Sequence, residues 1–130
     1  MEVLVDTSVW IDYFRSGENT EKLDYLIDEN LVIINELILA ELLPLLVLKR
    51  EKKLIALLEK IQKYPTQINW SELVEFQVKC LKSGSSGVGI PDLIIAQNAI
   101  QNRLSVYSID KHFGFMQDAK FGLKLFEFSV

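Results

Sequence analysis

The chain opens on Val3-Leu4-Val5, three adjacent apolar residues ending at Asp6-Thr7-Ser8, the pattern of a buried strand that runs into a helix cap. Thr7 or Ser8 can cap a helix on which Trp10, Tyr13 and Phe14 share a face, and Ser16-Gly17 stops it. Glu21 to Glu29 predicts a second short helix with Leu23, Leu26 and Ile27 inward. Leu31-Val32-Ile33-Ile34 then makes another wholly apolar strand. Asn35 caps the next helix, whose Leu39, Leu42 and Leu43 recur at helical spacing. Pro44 is expected to kink or end it, because the proline ring clashes with the carbonyl four residues back.

Glu51 to Tyr64 carries a broad apolar stripe of Leu54, Ile55, Leu57, Leu58 and Ile61, the mark of an amphipathic helix. Pro65 breaks it, Gln67 to Trp70 predicts a short strand, and Ser71 caps a helix reaching about Lys82. Ser83 to Gly89 is low in complexity and predicts a surface loop. Ile90-Pro91-Asp92 opens a helix with Leu93, Ala96 and Ile100 down one face. Ser105 to Ile109 predicts a strand ending at Asp110, followed by a helical or looped patch around His112 to Met116 and a last strand from Leu123 to Phe128. Strands alternating with helices imply parallel pairing and right-handed crossovers. The expectation is therefore one α/β domain over residues 1–130, a three-layer α/β/α architecture with a central, mainly parallel sheet of about five strands.

Composition narrows this little. With 130 residues, 49% hydrophobic and 25% charged, the chain can bury one core without staples. A single cysteine, Cys80, excludes an internal disulfide framework and a Cys-rich metal site, and places the protein by default in the reducing cytoplasm. The amino terminus has no basic residue before its apolar run, so no export signal is expected. Leu31 to Leu48 is long and aliphatic, but Glu36 and Glu41 would each cost about 2.5 to 3.5 kcal/mol near a bilayer centre, so no membrane partner is expected. A net charge of -4 argues against gripping nucleic acid by bulk charge and leaves local contacts open.

Ligands of an open parallel sheet bind beyond the carboxyl ends of its strands, where strand order reverses. Asp6 and Asp110 sit at two such ends, and Glu41 and Asp92 can approach the same edge from helices. Each has a plainer use: Asp6 as a cap, Asp110 as a turn residue, Asp92 as a helix-start acid and Glu41 beside a lysine partner. Four converging carboxylates without matching cations must protonate or hold a metal ion, and oxygen ligands select Mg²⁺ or Mn²⁺ over zinc. Such an ion suits hydrolysis of a phosphodiester, lowering the pKa of a water and stabilising charge on the attacking and leaving oxygens. No phosphate-cradling glycine motif is present.

The run from Val3 to Phe14 resembles the opening of PIN-domain ribonucleases, specifically the VapC-type toxins of toxin–antitoxin pairs. Leu39-Ala40-Glu41-Leu42-Leu43 is similar to the family's glutamate helix, Ile90 to Ala96 to its third acidic block, and Val106 to Phe113 to its last. The resemblance implies a PIN-like domain whose Asp6, Glu41, Asp92 and Asp110 bind metal for catalysis, with Thr7, Ser8 and Ser108 as polar supports. It also implies single-stranded or loop RNA, such as that of tRNA, as substrate, a homodimer, and a cognate VapB-type antitoxin whose tail occupies the groove. Many relatives carry an arginine before the last Asp and another acid two after it, where this chain has Ile109 and His112. Lys49 and Arg50 in the basic run Lys49 to Lys53, together with Arg15 and Lys111, are candidate RNA contacts, although that run also reads as a solvated face. His112 reads more readily as a surface residue than as a catalytic base.

Two other functions stay open on sequence. A small Mg²⁺-binding signalling domain also gathers acids at strand ends, but it would want adjacent acids near the amino terminus. A catalytically inactive PIN-like module would act by binding alone.

Overall fold

The computed structural model describes residues 1–127. Its elements, in chain order, are β1 (Val3–Val5), α1 (Thr7–Phe14), α2 (Thr20–Asp28), β2 (Val32–Ile34), α3 (Glu36–Leu48), α4 (Lys52–Lys60), β3 (Gln62–Lys63), α5 (Trp70–Lys82), α6 (Ile90–Gln101), β4 (Ser105–Tyr107) and α7 (Lys111–Asp118). The strands pair in the order β3-β2-β1-β4, every pairing parallel, and the helices complete a three-layer α/β/α fold. Val3, Leu4 and Val5 are fully buried, as a central strand covered on both faces requires. The chain steps outward from β1 to β2 to β3 and then returns to place β4 on the other side of β1. Strand order therefore reverses between β1 and β4, and a crevice opens at their carboxyl ends.

Several boundaries differ from the sequence expectation. The helix expected to reach Tyr64 stops at Lys60, and β3 follows at once as an exposed edge strand beside β2. Residues 67–70 form no strand. Their backbone groups are claimed instead by side chains of α6: Gln97 bonds both the N–H and the carbonyl of Asn69, and the Gln101 amide donates to the Gln67 carbonyl. Asn69, rather than Ser71, caps α5. Asp6, rather than Thr7 or Ser8, caps α1.

The expected last strand contributes one parallel bridge, Val106 to Leu125, beside four named strands; Phe128 lies outside the described residues. The expected strand over 105–109 ends at Tyr107. Helix α3 continues through Pro44 to Leu48. The carbonyl deprived of its partner there belongs to Ala40, an exposed residue, so the missing N–H falls on the solvent side of the helix. Among the described residues, no helix is long and apolar enough to cross a membrane.

Candidate metal centre

Asp6 is where β1 ends and α1 begins. Its main-chain N–H donates to the Tyr107 carbonyl at the matching end of β4, so the two strand ends are tied together at the crevice. The side chain is 5% exposed and its Oδ2 is held by three donors: the Ser8 hydroxyl at 2.7 Å, the Ser108 hydroxyl at 2.9 Å and the Ser8 main-chain N–H at 3.3 Å. Ser8 Oγ and Ser108 Oγ lie 3.2 Å apart, and Ser108 Oγ accepts the N–H of Asp110 at 2.9 Å. The two serines thus lock Asp6 to the segment that carries Asp110. On the other flank, the Thr7 hydroxyl donates to Glu41 Oε1 at 2.9 Å and ties α1 to α3.

Asp110 caps α7, its Oδ1 accepting the main-chain N–H of His112 at 2.9 Å. His112 Nδ1 then lies 3.0 Å from Asp92 Oδ2 and 3.5 Å from Asp110 Oδ1. Asp92 stands in the first turn of α6, whose amino end faces the same edge of the sheet. One ligand atom from each of Asp92, Asp110 and His112 fits within 4.8 Å of the others, a spacing that lets them share one cation.

The electrostatics link all four acids. Burial raises the Asp92 carboxyl above its ordinary value; the bond to His112 pulls it down, while the charges of Asp110 and Asp6 raise it further. Glu41 is exposed overall, and no lysine pairs with it among the described residues. Partial burial still raises its carboxyl, the Thr7 bond lowers it, and the charges of Asp6 and Asp92 raise it. Among the described residues, neither lysine nor arginine pairs with any of these carboxylates, and the basic group that touches Asp92 and Asp110 is the His112 imidazole. Clustered oxygen donors and one imidazole, short of positive charge, fit a divalent cation.

A model of the PIN domain matches residues 3–116 of the chain. The chain belongs to the PIN domain family. As a PIN domain it is similar in fold to VapBC2 from Rickettsia felis, determined bound to a DNA fragment from its promoter, with a TM-score of 0.75 and 18% identity over 99% of this chain and 100% of that one. It is also similar to FitAcB from Neisseria gonorrhoeae, with a TM-score of 0.71 and 24% identity over 96% of each chain. A third similar structure is VapBC-1 from nontypeable Haemophilus influenzae, with a TM-score of 0.68 and 19% identity over 98% of each. Among curated proteins, none is significantly similar in sequence. Membership of the PIN family removes the signalling-domain alternative.

This PIN domain brings Asp6, Thr7, Ser8, Glu41, Asp92, Ser108 and Asp110 to one edge of the sheet, and adds His112, which sequence reasoning set aside. The signal for His112 was its place two residues after Asp110. Lys111 borders a groove of about 520 Å³ that reaches from His112 and Phe115 to the Ser83 to Gly87 loop. Arg15 and Lys49 lie elsewhere. Each stands eight residues beyond a site residue along α1 or α3, about 12 Å of helix, and together they line a separate cleft of about 110 Å³ with Phe14 and Leu46. Arg50 is exposed in the turn just after α3.

Proposed function

We propose that this PIN domain, a single unit over residues 1–130, is a metal-dependent endoribonuclease: a VapC-type toxin of the cytoplasm, inhibited by a cognate VapB-type antitoxin. The observation that carries the reading is that hydrogen bonds bring acids from four separate elements to one edge of the sheet, with no lysine or arginine among the described residues pairing with them. A structural role would not require it, because like charges so gathered weaken the fold unless a cation joins them.

Asp6, Glu41, Asp92 and Asp110 are the catalytic, metal-binding residues of this reading, and Mg²⁺ or Mn²⁺ the cofactor. When bound, the ion supplies Lewis acidity toward a phosphodiester oxygen and toward the attacking water. Ser8 and Ser108 fix the Asp6 carboxylate, and Thr7 fixes that of Glu41, so both are aimed before substrate arrives. The substrate is single-stranded or loop RNA, such as that of tRNA, with Lys111 beside the groove as the nearest phosphate contact. In this reading Arg15, Lys49 and Arg50 hold outlying phosphates of a longer RNA rather than the scissile one.

The reading includes a homodimer. It is supported by a stripe on α5, where Trp70, Val74, Val78 and Leu81 are exposed at helical spacing beside the exposed Ile90. A self-matching apolar ridge of this kind suits a two-fold helix contact with a second copy.

Cleavage of a mixed structured-RNA pool with Mg²⁺, with Mn²⁺ or with EDTA, beside the Asp92→Asn protein, tests the reading. Metal-dependent cuts lost in a folded Asp92→Asn variant are expected. Full activity in that variant would overturn the assignment, and a folded protein, free of antitoxin, that cuts nothing with either ion would favour the binding-only module.

A further inference from the structure

The geometry points to His112 as a metal ligand through Nδ1, giving this site a mixed nitrogen and oxygen donor set that selects a first-row transition-metal dication over Mg²⁺. The inference rests on the proposed metal site and goes beyond it in naming a ligand of a different chemical class and the ion it favours.

The imidazole is already placed for the role. Its Nδ1 faces Asp92 Oδ2 at 3.0 Å and Asp110 Oδ1 at 3.5 Å. Two adjacent ligands of a six-coordinate ion with bonds of about 2.1 Å lie about 3 Å from each other, so these three atoms stand close to the spacing that a shared ion imposes. The opposite edge of the ring lies near the Ser-Gly loop, where a Cβ at Gly87 would come 3.3 Å from Nε2. The backbone beneath it is held by the His112 N–H bond to Asp110 Oδ1 at 2.9 Å.

The chemistry of the donors then decides the ion. Mg²⁺ is hard, keeps its waters and takes oxygen ligands, whereas imidazole nitrogen binds first-row transition metals well. An imidazole donor at position 112 brings no negative charge of its own, so it adds less to a purely electrostatic hold on Mg²⁺ than to a hold with a nitrogen bond. The competing use of the same geometry is an imidazolium that neutralises Asp92 and Asp110 by itself and leaves no place for an ion.

Mn²⁺ is the probe, because its electron spin echo is modulated by a coordinated nitrogen. The full-length protein, titrated with Mn²⁺ and with Mg²⁺ by calorimetry, is compared with His112→Asp and His112→Gln, each checked for fold by circular dichroism. Nitrogen modulation in the wild-type Mn²⁺ complex is expected, lost in His112→Asp, with the preference for Mn²⁺ over Mg²⁺ falling by about tenfold. Mn²⁺ bound without nitrogen modulation, or an unchanged preference in His112→Asp, would overturn the inference and leave the nuclease reading standing. If neither ion binds the folded wild-type protein, His112 acts as the imidazolium, and the metal-dependent reading falls with the inference. The wild-type spectrum tests the proposal even if neither variant folds.

Discussion

Asn98 shows how much one interior side chain holds. It is almost wholly buried in α6, accepts from the Asn35 amide at 3.0 Å and donates to the Pro65 carbonyl at 3.1 Å. Asn35 in turn caps α3 by accepting the Ile38 N–H. Asn98→Ala leaves the Asn35 amide and the Pro65 carbonyl without partners, so a loss of about 1 to 3 kcal/mol in unfolding free energy is expected from urea titration; a change within the error of the measurement would refute this. At this scale, Asp6 was legible because a short apolar run ending in Asp marks a strand end, whereas β4 stops at Tyr107 and Asp110 caps α7 three residues later. His112 and the serine bridge were less so. His112 meets Asp92 across 20 positions of sequence, and the contact exists only because α6 and α7 both start at the same edge of the sheet.

Between elements, α1 and α2 are joined by the Tyr13 hydroxyl, which donates to Asp24 Oδ1 at 2.5 Å. Burial, that bond and the charges of Asp24 and Asp28 push the Tyr13 phenol up to about 12, from about 10 in an unfolded chain. The folded value is raised, so the stability from this link is fully present below about pH 10 and is lost as pH rises through about 12. Unfolding free energy measured across that window should fall with pH in the wild type and fall less in Tyr13→Phe, with the phenolate absorbance reporting the titration. Equal slopes in the two proteins would remove Tyr13 as the cause. Elements carried by continuous apolar runs, β1 and β2, were legible to within a residue. β3 was not: Gln62-Lys63 is polar and exposed, and it is a strand only because the edge of β2 offers unpaired backbone groups. The stretch after it was misread because its backbone partners are side chains on a helix nearly 30 residues later.

For the whole molecule, the exposed ridge on α5 makes the state of association a direct measurement. Trp70 is 63% and Val74 65% exposed, more than isolated surface apolar residues account for when several line up. A wild-type dimer in sedimentation equilibrium and a folded monomer for Val74→Glu are expected; a wild-type monomer would remove the two-fold contact. The α/β/α class and the edge that carries the acids followed from the alternation of elements, but the strand order did not, since sequence fixes the hand of each crossover and not which side of β1 receives β4. That return of β4 to the far side of β1 has a consequence in time. On a ribosome, the strand carrying Asp6 emerges more than a hundred residues ahead of the segment carrying Asp110, so the site cannot assemble until both have been made. The proposed activity would then be absent from a nascent chain that stalls anywhere between them.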